Sequence, residues 1–164
     1  MECLLKFKKM KRLHIIFLLC VLSMTVQAQD SQNNKLIYCS CSRTHHGLPA
    51  GEISRSYYEL IADEGTAPKV VYCEIRDDEP EKTEYPATEQ DVANLYQKLH
   101  DMGAFELDGY HVDEAMTGGS TYRIYMEFSN GNKVNATWFT HDPKPLAAET
   151  YAVILTTLRA ITQP

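Results

Sequence analysis

Thr121-Tyr122-Arg123-Ile124-Tyr125-Met126-Glu127-Phe128 runs into Ser129-Asn130-Gly131-Asn132 and then Lys133-Val134-Asn135-Ala136-Thr137-Trp138-Phe139-Thr140. In the first segment Tyr122, Ile124, Met126 and Phe128 alternate with Thr121, Arg123, Tyr125 and Glu127, which is the period of a strand with one buried face and one wet face. Asn130-Gly131 supplies the positive backbone angles of a tight turn. The return segment sets Val134, Ala136 and Trp138 inward and Asn135, Thr137 and Phe139 outward. A half-wet antiparallel hairpin needs a partner layer over its apolar face, and the C-terminal segment offers one. After Pro143 and Pro145, residues Tyr151, Ile154, Leu155, Leu158 and Ile161 recur on a single helical stripe.

The preceding half reads the same way. Leu36-Ile37-Tyr38-Cys39-Ser40-Cys41 alternates as a short strand, and Arg43 to Gly51 reads as a loop. Ile53 to Ala62 and Lys69 to Arg76 read as a hairpin, with Tyr58, Leu60 and Ala62 on one face of the first strand and Val71, Cys73 and Ile75 on one face of the second. The acidic run Asp77-Asp78-Glu79-Pro80-Glu81-Lys82-Thr83-Glu84 reads as a solvated, self-repelling loop. Thr88 and Asp91 then form a capping box. Val92, Leu95, Tyr96, Leu99 and Met102 follow at helical spacing up to a left-handed stop at Gly103. Phe105 and Leu107 are expected beneath that helix.

Ser56, Tyr58, Leu60, Lys69 and Val70 lie 64 residues before Ser120, Tyr122, Ile124, Lys133 and Val134, a pattern that suggests a tandem hairpin-helix unit. The expected fold is α+β: a two-layer sandwich of a mainly antiparallel sheet of about five strands with two helices on one face.

The N-terminus carries an address. Lys6, Lys8, Lys9, Lys11 and Arg12 precede the apolar stretch Ile15 to Leu22, and Val26-Gln27-Ala28 closes the segment with the small residues that signal peptidase accepts. Residues 1–28 are therefore expected to be a secretory signal peptide cleaved after Ala28, 29–34 a disordered tail and 35–164 a single domain, periplasmic or secreted. The apolar stretch falls short of the roughly 20 residues a membrane span needs, so no span is expected after signal removal. Removing residues 1–28 lowers Lys plus Arg from 16 to 11 and Asp plus Glu from 22 to 21, leaving a net charge of −10. Such a field repels nucleic acid, which is not expected as a partner.

The second hairpin, Gly119-Ser120-Thr121-Tyr122-Arg123-Ile124-Tyr125-Met126-Glu127-Phe128-Ser129-Asn130-Gly131-Asn132-Lys133, resembles small exported proteins of Bacteroidetes-type bacteria. They share an aromatic-rich strand, a short turn ending in Gly, a return strand, a Pro-containing loop and a final helix. Those proteins often have Trp in the first strand, where this chain has Tyr122 and places Trp138 in the return strand. The resemblance implies an exported α+β protein and carries no catalytic motif.

An oxidising compartment favours paired cysteines. Among Cys39, Cys41 and Cys73, the expected bridge joins Cys73 to one of the other two, because Cys39 and Cys41 are too close along a strand to pair without strain. The competing arrangement leaves all three reduced and buried. Cys39-x-Cys41-x3-His45-His46 also brings two thiols and two imidazoles within eight residues, as a zinc or copper site or a small hydrolase would require. No Gly-x-Ser-x-Gly elbow and no cofactor motif occurs, and Gly118-Gly119-Ser120 reads as a turn into a strand.

Binding fits the pattern better. With helices on one side, the other face would present Tyr57, Glu59, Tyr72, Glu74, Arg123, Tyr125, Glu127 and Phe139, and large side chains with few rotors are favoured at binding patches. The sequence thus points to a small exported binding module for a protein or glycan, inhibitor-like in character. The alternative is a hydrolase or metal-binding protein built on Cys39, Cys41, His45 and His46.

Overall fold

The computed structural model describes residues 34–49, 52–112, 119–140 and 143–163. The expected signal peptide, its cleavage point and residues 29–33 of the expected tail lie outside them, as does Gly118. Six strands, β1 (Leu36–His46), β2 (Ile53–Ile61), β3 (Lys69–Arg76), β4 (Glu79–Pro86), β5 (Gly119–Phe128) and β6 (Lys133–Phe139), form one antiparallel sheet in the order β4-β3-β2-β1-β5-β6. Helix α1 (Glu89–Asp101), a 3₁₀ turn (Ala104–Leu107) and helix α2 (Pro145–Thr162) complete the fold. It is an α+β arrangement in which the helices pack on the sheet. No helix among the described residues is long and apolar enough to cross a membrane.

The core lies between the sheet and the helices. Cys39, Cys41, Leu60, Val70, Ile124, Met126, Val134 and Trp138 rise from the sheet to meet Val92, Leu95 and Leu99 of α1 and Ala147, Ile154 and Leu158 of α2. Tyr122 stacks on Trp138 with centroids 5.8 Å apart, and Tyr151 of α2 sets its edge against both rings. Leu36 and Cys39 both face the helices although they are three apart, because the β1–β5 register shifts between Leu36 and Tyr38 and the extra residue re-aims the strand. The capping box at Thr88 and Asp91 forms as the sequence indicates, with Asp91 N donating to Thr88 Oγ1 at 3.1 Å and Thr88 N to Asp91 Oδ2 at 2.9 Å. Gly103 follows in the left-handed region at φ 73°.

Three expectations change. The acidic run is not a loop. Asp77 and Asp78 take positive φ values of 49° and 64°, a two-residue turn that sends Glu79–Pro86 back along β3 as a sixth strand. Asp tolerates that conformation because its short side chain can bond locally. The charges and the two prolines, Pro80 and Pro86, suit a sheet edge, where they discourage pairing with another chain.

β3 is also turned over relative to expectation. Its register pairs Leu60 with Val70 and Tyr58 with Tyr72, so Val70, Tyr72 and Glu74 face the helices while Val71, Cys73 and Ile75 face away. Finally, the hairpins are not superposable copies. Leu60 and Val70 are partners, but their counterparts 64 residues on pair elsewhere, Ile124 with Ala136 and Met126 with Val134.

The far edge of the sheet is covered by the chain leaving α1. Gly109 N and Val112 N donate to the carbonyls of Asn135 and Thr137, and Thr137 N donates back to Tyr110 O. That cover satisfies β6 groups that would otherwise stand open.

Candidate functional site

β1 lies at the middle of the sheet, paired with β2 on one side and β5 on the other. On the face away from the helices it presents Tyr38, Ser40, Ser42 and Thr44, three of them small. The flanking strands, which run parallel to each other, present Arg55, Tyr57 and Glu59 from β2 and Arg123, Tyr125 and Glu127 from β5. Serines between two rows of long side chains leave a channel, and the structure has a concavity of about 460 Å³ there, lined by these residues and by Asn135. The two walls stand about 10 Å apart at the backbone, two inter-strand spacings.

Both walls carry the same series, Arg-x-Tyr-x-Glu, in the same direction. The groove is consequently polar along its length: both guanidiniums lie toward one end and both carboxylates toward the other, about 13 Å away at four residues' rise. At the carboxylate end Tyr38 closes the channel, its hydroxyl donating to Glu59 Oε1 at 2.7 Å and its ring meeting Tyr125 edge-on at 5.8 Å. Burial, and then the Glu59 carboxylate that accepts its proton, push the Tyr38 hydroxyl well above the usual phenol range. Tyr125 donates to Glu127 Oε2 at 3.2 Å, and Lys133 Nζ stands 3.1 Å from Glu127 Oε1, the hydrogen bond that raises the lysine's pKa.

The arginine end is less satisfied. The Arg55 guanidinium lies over the Tyr57 ring at 5.4 Å, and Arg123 Nε donates to Thr137 Oγ1 at 3.4 Å. Among the described residues neither has a carboxylate within ion-pair distance.

Of the residues expected to bind, Tyr57, Glu59, Arg123, Tyr125 and Glu127 line the groove. Phe139 is on the same face but beyond the arginine end, beside His46 at 5.9 Å between ring centroids. Tyr72 is not on this face. It stacks with Tyr58 at 4.6 Å on the helix side, and its hydroxyl donates to Glu74, lowering the pKa of that carboxyl. Inverting the phase of β3 moved both Tyr72 and Glu74 away from the site. Arg55, Tyr38, Ser40, Ser42 and Asn135 complete the lining; of these, Ser42 lies beyond Cys41, where the first strand was expected to end.

The thiol–imidazole cluster does not assemble. Cys39 and Cys41 are buried in the core beneath the helices, where burial pushes the Cys41 thiol up to about 12 and the Cys39 thiol up as well. β1 continues through His45 and His46 instead of ending in a loop, so the two imidazoles point to opposite faces. His46 contacts Thr121 Oγ1 at 2.7 Å, whereas His45 Nδ1 lies 3.0 Å from Ser120 Oγ on the helix side. Among the described residues no group of three or more His, Cys, Asp or Glu side chains is placed to hold a metal ion.

The expected disulfide is absent too: all three thiols are free. β2 stands between β1 and β3, and Cys73 projects from the face opposite Cys39 and Cys41.

A second polar cluster arises from the same extension of β1. Ser120, buried, accepts from Arg43 Nε at 3.2 Å and meets His45, and its backbone N–H donates to Thr140 Oγ1 at 2.7 Å. Burial, then the neighbouring Arg43 charge, lower the His45 pKa, so that imidazole is neutral near pH 7. The cluster satisfies a buried hydroxyl where β5 begins.

Compared with protein-family models, curated proteins and solved structures, the chain has no significant match. Its function must therefore be argued from the groove.

Proposed function

We propose that this protein is a small exported binding module, with residues 1–28 removed as a signal peptide and the sheet face opposite the helices holding part of a protein or glycan partner in the periplasm or outside the cell. One observation carries the reading: two matching Arg-x-Tyr-x-Glu series border a serine floor and enclose a polar groove of about 460 Å³. Volumes of about 300–1,000 Å³ with a few convergent polar groups are typical of ligand sites. The lining contains no thiol and no imidazole, so the groove supports binding in preference to the hydrolytic or metal-dependent alternative.

The test is binding of the purified protein to printed arrays of glycans and of extracellular proteins, wild type against Tyr57→Ala/Tyr125→Ala. Saturable binding that the double variant loses while its melting temperature stays within a few degrees supports the groove. Binding unchanged in that variant refutes it. An intact mass lacking residues 1–28 is the expected mark of export, and a full-length mass in the envelope fraction would overturn that part.

A further inference from the structure

We propose that the groove's ligand is an acidic oligosaccharide, its carboxylate held between Arg55 and Arg123 and its hydroxyls by Ser40, Ser42, Asn135 and the glutamates, an assignment that rests on the groove being the binding site. Three observations narrow the class. β1 is paired along both edges beneath the groove, so no main-chain donors or acceptors remain there to continue a sheet with an extended peptide. The only large apolar side chain exposed among the described residues is Leu48, in the β1–β2 connection. Apart from the tyrosine rings, the groove lining itself offers no apolar side chain and no aliphatic anchor to a protein partner.

The polar groups, in contrast, suit a polyol. The lining's hydroxyl, carboxylate and amide groups together offer donors and acceptors to a polyol, and the Tyr57 and Tyr125 rings add aromatic surface for the C–H face of a sugar ring.

The charge of the ligand follows from which ends are already satisfied. Glu59 receives the Tyr38 hydroxyl, and Glu127 receives both Tyr125 and Lys133. Arg55 and Arg123 have an aromatic face and a threonine hydroxyl but no anion among the described residues. A planar guanidinium is suited to take a carboxylate in two parallel bonds. The unmet demand is therefore for one negative group at the arginine end and neutral hydroxyls along the remainder.

Calorimetry with tri- and tetrasaccharides that carry a single terminal galacturonate, glucuronate or mannuronate on otherwise neutral sugars, each against its methyl ester, decides the matter. At least one uronate series should bind about tenfold or more tighter than its ester, and the advantage should shrink as salt rises. Arg55→Gln/Arg123→Gln should reduce the acid to the level of the ester, whereas Tyr57→Ala/Tyr125→Ala should weaken both forms. Equal affinity for acid and ester overturns the assignment. So does the absence of binding across the panel when a peptide or neutral glycan binds in a manner dependent on Tyr57 and Tyr125, an outcome that leaves the groove itself standing. Uronate binding indifferent to the tyrosine pair would sink groove and assignment together.

Discussion

Cys41 in the native protein should react with iodoacetamide about a thousandfold more slowly than the same thiol in the unfolded chain. Its side chain is 1% exposed, beneath the helices and opposite Tyr58. Burial raises its pKa from an ordinary 9.0 to about 12, so at pH 8 the reactive thiolate is about 10³ times scarcer than in an open peptide.

The same shift makes stability depend on pH, with a definite sign. Folding raises the pKa, so above about 9 the unfolded chain releases a proton that the native chain keeps. This thiol's contribution is thus fully present below pH 9 and is lost as pH rises toward 12, at up to about 1.4 kcal/mol per unit. Cys39 is shifted in the same direction. Peptide-resolved mass spectrometry after timed labelling, native against guanidinium-unfolded, reads the first effect. Urea unfolding at pH 7, 9 and 10.5, with Cys41→Ala beside the wild type, reads the second, since the variant lacks this thiol's share of the alkaline loss while keeping that of the buried tyrosines. Native labelling within tenfold of the unfolded rate, or an intact mass short of two hydrogens, would refute the placement of these thiols as free groups in the core.

Two further variants test the fold. Asp78→Gly, at a position held at φ 64° in the β3–β4 turn, should raise stability by up to about 1 kcal/mol in chemical denaturation, and a loss of stability would mean the turn does not have this geometry. Leu60→Ala removes a fully buried side chain from the middle of the sheet and should cost about 2–5 kcal/mol, whereas a cost below 1 kcal/mol would contradict its position under the helices.

Elements whose two faces differ in polarity could be read from the sequence. β5, β6 and both helices stand where alternation or 3.6-residue spacing places them, since one face of each has nowhere to go but the core. β4 offers no such contrast: nearly all of it is exposed, so its strand state comes from pairing with β3 and from the turn at Asp77-Asp78, which a charge pattern cannot report. β3 failed for the opposite reason. Val70 and Val71 are both buried, and with apolar residues on both faces the choice of phase falls to the register set by β2.

The groove shows the same division of information. Tyr57, Glu59, Arg123, Tyr125 and Glu127 could be assigned to a wet face from alternation within each strand, but the meaning of the pattern lies between strands. The two Arg-x-Tyr-x-Glu series are 68 residues apart in the chain, whereas the register through β1 sets residues 66 apart at the same level: Tyr57 and Arg123 flank Ser42, and Glu59 and Tyr125 flank Ser40. A comparison of the halves at a separation of 64 brings forward the core-facing tyrosines Tyr58 and Tyr122 and misses the arginines altogether. The polarity of the channel depends on β1 lying between β2 and β5 and running on to His46. Serines there are too small to signal a site by themselves, yet because they are small the longer side chains on either side can form walls.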